Sequence, residues 1–154
     1  MKVIIALDQS EYADQVVEAV LKRQWPQDTA FKLLTVIEPS PWAHLGSDNW
    51  QSVLKQISDN RQQLASEKLG TYRAKLSEQI PDCSVHTEIR NGNARSEILA
   101  VTTEWMADKL VLGAHGHSPN RLLGRLPQSL AQHAPCTVEL IRLKCLMDAG
   151  ARAG

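Results

Sequence analysis

The chain has 154 residues, room for one sizeable core but short for two, and its 17 lysines and arginines balance 17 aspartates and glutamates. That balance argues against a nucleic acid or an acidic membrane surface as partner, and no run approaches the roughly 18 apolar residues of a membrane span. Cys83, Cys136 and Cys145 are odd in number and irregular in spacing, which suits packed thiols in a reducing, cytoplasmic compartment better than a disulfide framework or a zinc site.

Val3 to Leu7 is a continuous apolar run, the pattern of a strand buried on both faces, and it ends at Asp8-Gln9. Ser10 is placed to cap a helix whose Ala13, Val16, Val17, Val20 and Leu21 share one face, with Lys22-Arg23 closing it. Leu33 to Ile37 reads as a second strand, stopped by the proline-bearing segment Glu38 to Pro41. A long helical region follows: Val53, Leu54, Ile57, Leu64, Tyr72, Leu76 and Ile80 recur mostly at helical spacing, although Gly70 and the polar stretch near Asn60 speak against one unbroken helix.

Val85, Thr87 and Ile89 alternate with polar neighbours, as in a half-exposed strand near a sheet edge, and Asn91-Gly92-Asn93 supplies a turn. Ala94, Ile98, Val101 and Trp105 form the next helical stripe, Leu110 to Leu112 a fourth strand, Leu126 to His133 a short helix and Val138 to Ile141 a fifth strand. Strict alternation of strand and helix predicts one doubly wound, Rossmann-like α/β domain: a five-stranded parallel sheet with helices on both faces over residues 1–144, and a flexible tail at 145–154.

In such sheets the ligand crevice lies beyond the carboxyl ends of the strands, where the strand order reverses. Two loops therefore matter: Asp8-Gln9-Ser10, and GAHGHSPNRLLGR from Gly113 to Arg125. Glycines at 113, 116 and 124 let backbone N–H groups approach an anion, or serve only to relax a long loop; spacing alone leaves both readings open. The loop is neither a Walker A motif nor a compact G-x-G-x-x-G.

Taken together, VIIALDQSEYA, LLTVIEP, NGNARSEIL, ADKLVLGAHG and HAPCTVELIR resemble the universal stress proteins over nearly the whole chain. The resemblance implies a fold of the adenine nucleotide alpha hydrolase type and a nucleotide site for ATP or AMP, with Mg²⁺ only alongside ATP. In that site Asp8 meets the adenine, Ala6 and Val36 line its pocket, and Leu112, Gly113, His115, Gly116 and Gly124 surround ribose and phosphates. It also implies a role in stress response or signalling, slow ATP hydrolysis at most, and a homodimer formed through the last strand; the protein partner stays unknown.

The ATP-binding members share G-x2-G-x9-G-S/T, and here only seven residues separate Gly116 from Gly124, with Arg125 and Pro127 where hydroxyl residues are expected. Arg121 and Arg125 can offset the lost donors through charge-assisted hydrogen bonds, and Pro127 fits the first position of the following helix. The competing expectation is a dimeric interaction module with a vestigial, nucleotide-free crevice.

Several residues have a second reading. Asp8 can accept from adenine or cap the first helix beside Ser10. His115 and His117 are too few for zinc. Cys136 reads as a small core thiol. Trp42 and Trp50 either cover the crevice or pack peripherally, and Glu139, odd within an apolar strand, guards an edge or pairs across a dimer.

Overall fold

The computed structural model describes residues 1–40, 46, 48–115 and 123–144. The strands are β1 (Lys2–Ala6), β2 (Ala30–Ile37), β3 (Ser84–Asn91), β4 (Lys109–Gly113) and β5 (Thr137–Ile141), and the helices are α1 (Ala13–Leu21), α2 (Asp48–Gln79), α3 (Ala94–Glu104) and α4 (Arg125–His133). The strands form one parallel sheet in the order β3-β2-β1-β4-β5. This is the doubly wound α/β arrangement expected from the alternation.

Because successive side chains of a strand point to opposite faces, β1 supplies both layers of the core. Val3 and Ile5 face α1 and α2, where Val17, Phe31, Leu33, Leu69 and Leu76 are buried with them. Ile4 faces α3 and α4 and packs with Leu34, Ile98, Leu110 and Leu130.

The observed elements correct several boundaries. The first helix starts at Ala13 with Tyr12 as its N-cap and no side-chain cap. Ser10 instead sits in the preceding turn, where its Oγ accepts the Tyr12 N–H at 3.3 Å. Strand β2 begins at Ala30, three residues before the expected Leu33, because Phe31 continues the inward-facing pattern through the partly buried Lys32.

The predicted interruption of the long helix does not occur: α2 runs unbroken through Asn60 and Gly70. Gly70 lies in open space on the outer face. Its propensity cost of about 1 kcal/mol is offset by burial of Leu69, Tyr72 and Leu76 on the opposite face. The first half of α2 packs on little, and Trp50, Val53, Ile57 and Leu64 are exposed. Trp42 lies outside the described residues.

The edge position expected for β3 is observed. Its Glu88 and Arg90 carry an ion-pair network with Lys32, Glu97 and Glu104. Burial opposes charge on Glu88, but hydrogen bonds from Lys32 and Arg90 prevail and hold its carboxyl below the usual range. At Asn91-Gly92-Asn93 the turn forms as read: Gly92 takes a φ of +147°, and the Asn93 side chain accepts the Ser96 N–H at 3.0 Å to cap α3.

On the other edge strand, β5, Glu139 pairs with Arg23 of the same chain, so its anomaly has an intramolecular partner. Cys136 is half-buried against the α3/α4 layer rather than fully inside it, and burial raises its thiol pKa.

Candidate functional site

Since β1 is followed by β2 on one side while β4 lies on its other side, the chain leaves the carboxyl ends of β1 and β4 in opposite directions and opens a crevice between them. A cleft occupies that position. Ala6, Asp8, Val36, Leu112 and Gly113, five of the residues picked from the sequence, line it together.

The β1 side of the cleft is held by a network of short bonds. Leu7 N–H donates to the Leu34 carbonyl at 2.8 Å, and Thr35 Oγ1 donates to the Leu7 carbonyl at 3.0 Å. Beyond them, Asp8 Oδ1 accepts both the Ser10 N–H at 3.0 Å and the Ser10 hydroxyl at 2.5 Å. Asp8 therefore shapes the turn ahead of α1 rather than capping the helix. Gln9 Nε2 donates to the Arg61 carbonyl at 3.0 Å, and Lys68 Nζ donates to the Ser10 carbonyl at 3.2 Å, tying the loop to α2. A short bond from Tyr72 Oη to Asp14 at 2.5 Å joins α2 to the first turn of α1. Burial and this carboxylate both push the Tyr72 phenol well above its ordinary pKa.

The β4 side differs from the sequence expectation. Gly124 is the N-cap of α4 and is extended, and its N–H donates to the Ala114 carbonyl at 2.9 Å. This N–H already has a partner within the chain. A Cβ on Gly124 would stand 3.3 Å from Pro127 Cδ and 3.5 Å from the Ala114 oxygen, so the glycine serves close packing of α4 on the segment after β4.

Pro127 is the third residue of α4, not the first, and is buried against the cleft. The first-turn N–H it lacks has no helical partner in any case, so proline is tolerated there. Arg125 begins α4 and is exposed, and neither it nor Gly124 lines the described cleft. His115 is half-buried, and its Nδ1 is buried with no hydrogen-bond partner among the described residues. Gly116, His117 and Arg121 lie outside the described residues.

Tyr12, Leu126 and Leu143 are among the lining residues that the sequence did not offer as site candidates. Tyr12 stands at the start of α1, Leu126 in the first turn of α4, and Leu143 on the segment after β5. Leu126 was accessible to pattern reading as an apolar first-turn residue beside the glycine loop. Leu143 gave no local signal.

Chemically, the described cleft is an apolar slot with a carboxylate at its β1 rim. Among its described lining residues, only Asp8 and Tyr12 carry ionisable groups. No group of three or more His, Cys, Asp or Glu that could hold a metal gathers among the described residues, and no described helix is long and apolar enough to cross a membrane.

The fold has close counterparts among solved structures. The hypothetical protein MJ0577 superposes with a TM-score of 0.80 at 19% identity, covering 93% of this chain and 96% of that one. UspA from Lactobacillus plantarum superposes with a TM-score of 0.75 at 23% identity, over 92% and 97% of the two chains. A family protein from Arabidopsis thaliana solved with AMP bound has a TM-score of 0.66 at 18% identity, over 92% and 90%. At these identities the likeness shows the fold. No curated protein matches the chain. The sequence model of the universal stress protein family matches residues 1–142, nearly the whole chain, and this protein therefore belongs to that family.

Proposed function

We propose that the cleft between β1 and β4 binds an adenine nucleotide, AMP or ATP, and that the protein acts in stress response or signalling through the occupancy of this site. The observation that carries the reading is the convergence of Ala6, Asp8, Val36, Leu112 and Gly113 on one slot at the switch point of the sheet. A flat aromatic base suits the apolar walls formed by Ala6, Val36 and Leu112. The second oxygen of Asp8, Oδ2, is the natural acceptor for its amino group, since Oδ1 serves Ser10. The Nδ1 of His115, buried with no partner among the described residues, is a candidate contact for ribose or phosphate. The AMP found in the Arabidopsis relative supports the choice of ligand class.

The described residues fit the nucleoside better than the phosphates. Near α4, Gly124 has spent its N–H within the chain and Pro127 has none, so phosphate contacts fall to Arg125, Arg121 and Gly116, with Mg²⁺ accompanying only ATP. With two ionisable side chains among the described lining, the reading is binding rather than turnover, and slow hydrolysis is its upper limit. As a further part of this proposal, the protein forms a homodimer through β5, an edge strand whose Val138 and Leu140 are only half-buried.

Calorimetric titration of nucleotide-stripped protein with adenosine, AMP and ATP-Mg²⁺ tests the reading. Saturable heat with adenosine or AMP at micromolar to submillimolar concentration is expected. Silence at millimolar ligand, with no thermal shift, would replace it by the nucleotide-free interaction module, for which the apolar β4 side of the cleft is the supporting observation.

A further inference from the structure

The segment after β5 borders the cleft through Leu143. Leu143, buried on this segment, packs with Ala13, Val16 and Val111 in the α1/α2 layer and also lines the cleft. Its Cδ1 lies 3.0 Å from the point where a side chain on Gly113 would begin, and its Cδ2 and Cγ lie 3.5 Å away. The room that the glycine leaves at the end of β4 is thus filled by the chain's own leucine.

The segment is fastened at two places. Ala114 N–H donates to the Ile141 carbonyl at 2.9 Å, at the end of β5. Beyond Leu143, one side chain of α1 clamps the next residue on both its backbone groups. Gln15 Nε2 donates to the Lys144 carbonyl at 2.8 Å, and the Lys144 N–H donates to Gln15 Oε1 at 2.7 Å. Gln15 is half-exposed and Lys144 exposed, so these two bonds are the part of the fastening that water can replace.

We infer that residues 142–144 form a strap that governs which ligands the cleft admits, with Leu143 as the specificity-determining residue and Gln15 as the positioning residue that holds it down. The inference rests on the nucleotide reading of the cleft. With the strap seated, the slot between Ala6, Val36 and Leu112 accepts a nucleoside, while Leu143 occupies the space over Gly113 that a phosphate chain would need. With the strap lifted, Gly113 becomes open backbone beside the N-terminus of α4 and phosphate can enter. Nucleosides therefore bind the seated form, and phosphorylated ligands bind the fraction of molecules in which the strap is up.

The test compares wild type, Gln15→Ala, Leu143→Ala and Leu143→Met by calorimetry with adenosine, AMP and ATP-Mg²⁺, and follows hydrogen exchange at the Lys144 amide. Loss of a two-bond clamp raises the strap-open fraction by roughly tenfold. Gln15→Ala is therefore expected to tighten AMP and ATP by about that factor, leave adenosine within about twofold, and speed exchange at Lys144. Leu143→Ala is expected to shift the ratio the same way, and Leu143→Met, which refills the space, to restore it.

If phosphorylated ligands keep the same affinity relative to adenosine in all four proteins, the strap is wrong and the nucleotide site stands. If adenosine, AMP and ATP fail to bind any of them, the nucleotide site falls and takes the strap's role with it. Gln15 contributes no side chain to the buried core, so its variant remains informative should Leu143→Ala lower stability.

Discussion

Replacing Asp8 separates the job its carboxylate performs in the turn from the one proposed for it in adenine binding, because the two fall on different oxygens. Oδ1 organises the turn by accepting from the Ser10 N–H at 3.0 Å and the Ser10 hydroxyl at 2.5 Å, and Oδ2 is assigned to the adenine amino group. Asp8→Asn can keep the first job, because the amide oxygen still accepts both Ser10 donors, but it places an NH₂ where adenine needs an acceptor. Asp8→Ala loses both jobs.

A hydrogen bond to a charged acceptor is worth about 1.5–3 kcal/mol, and the exposure of Asp8 in the open cleft reduces this to about 1–2 kcal/mol, or roughly 5- to 30-fold in Kd. The turn bonds to Ser10 are worth about 1 kcal/mol together at this exposure, and that loss lowers the Tm of a domain of this size by about 2–4 °C. Calorimetry with adenosine and thermal melts on both variants give the assay. The expected pattern is a comparable loss of adenosine affinity in both variants, with a Tm loss only in Asp8→Ala. Unchanged adenosine affinity in Asp8→Asn would falsify the assignment of adenine to this residue.

Two further predictions concern the frame that carries the cleft. Tyr72→Phe removes the bond to Asp14 and is expected to cost about 1 kcal/mol at neutral pH, a Tm decrease of about 2–4 °C. The phenol's pKa is raised on folding, so the folded state retains a proton that the unfolded chain releases above about pH 10; wild type should lose stability as pH rises beyond that value, and Tyr72→Phe should lose less. Parallel denaturant titrations at pH 7 and at alkaline pH check the sign, and identical slopes for the two proteins would refute it. On α2, Leu69→Ala should cost about 2–5 kcal/mol and Leu64→Ala less than about 0.5 kcal/mol, because the first side chain is buried and the second is 60% exposed. Equal costs in urea unfolding would mean that the outer half of the helix is packed after all.

The parts legible in the sequence were those whose physics is local. The apolar run Val3-Ile4-Ile5 announces a strand with two buried faces, and all three side chains are completely buried. The place of the crevice followed from the doubly wound class, whereas Ala6, Asp8, Val36, Leu112 and Gly113 came from the resemblance to the universal stress proteins; the order β3-β2-β1-β4-β5 is what brings these five together.

The start of β2 was missed because Lys32 breaks its apolar run, and only the fold shows that Lys32 is satisfied by Glu88 across the strand pair at 2.9 Å. Gly70 was weighed by intrinsic propensity, which tertiary packing of its neighbours overrides. Gly124 was visible as a special glycine, but its reason is contact with Ala114 and Pro127, which no spacing rule encodes. Leu143 and Gln15 were invisible for a simpler reason. The clamp joins residues 129 positions apart, and nothing near either one hints at the other.

The uneven packing of α2 makes one continuous helix behave as two objects. The turns from Ala65 to Gln79 are fixed by core contacts and can open only when the domain does, while the turns from Asp48 to Leu64 rest chiefly on their own backbone bonds. An isolated helical segment of that length is marginal in water, so this end is expected to open and re-form many times for each global unfolding event. The carboxyl-terminal half acts as the template from which those turns re-form, and amide protection should fall steeply along the helix towards Asp48.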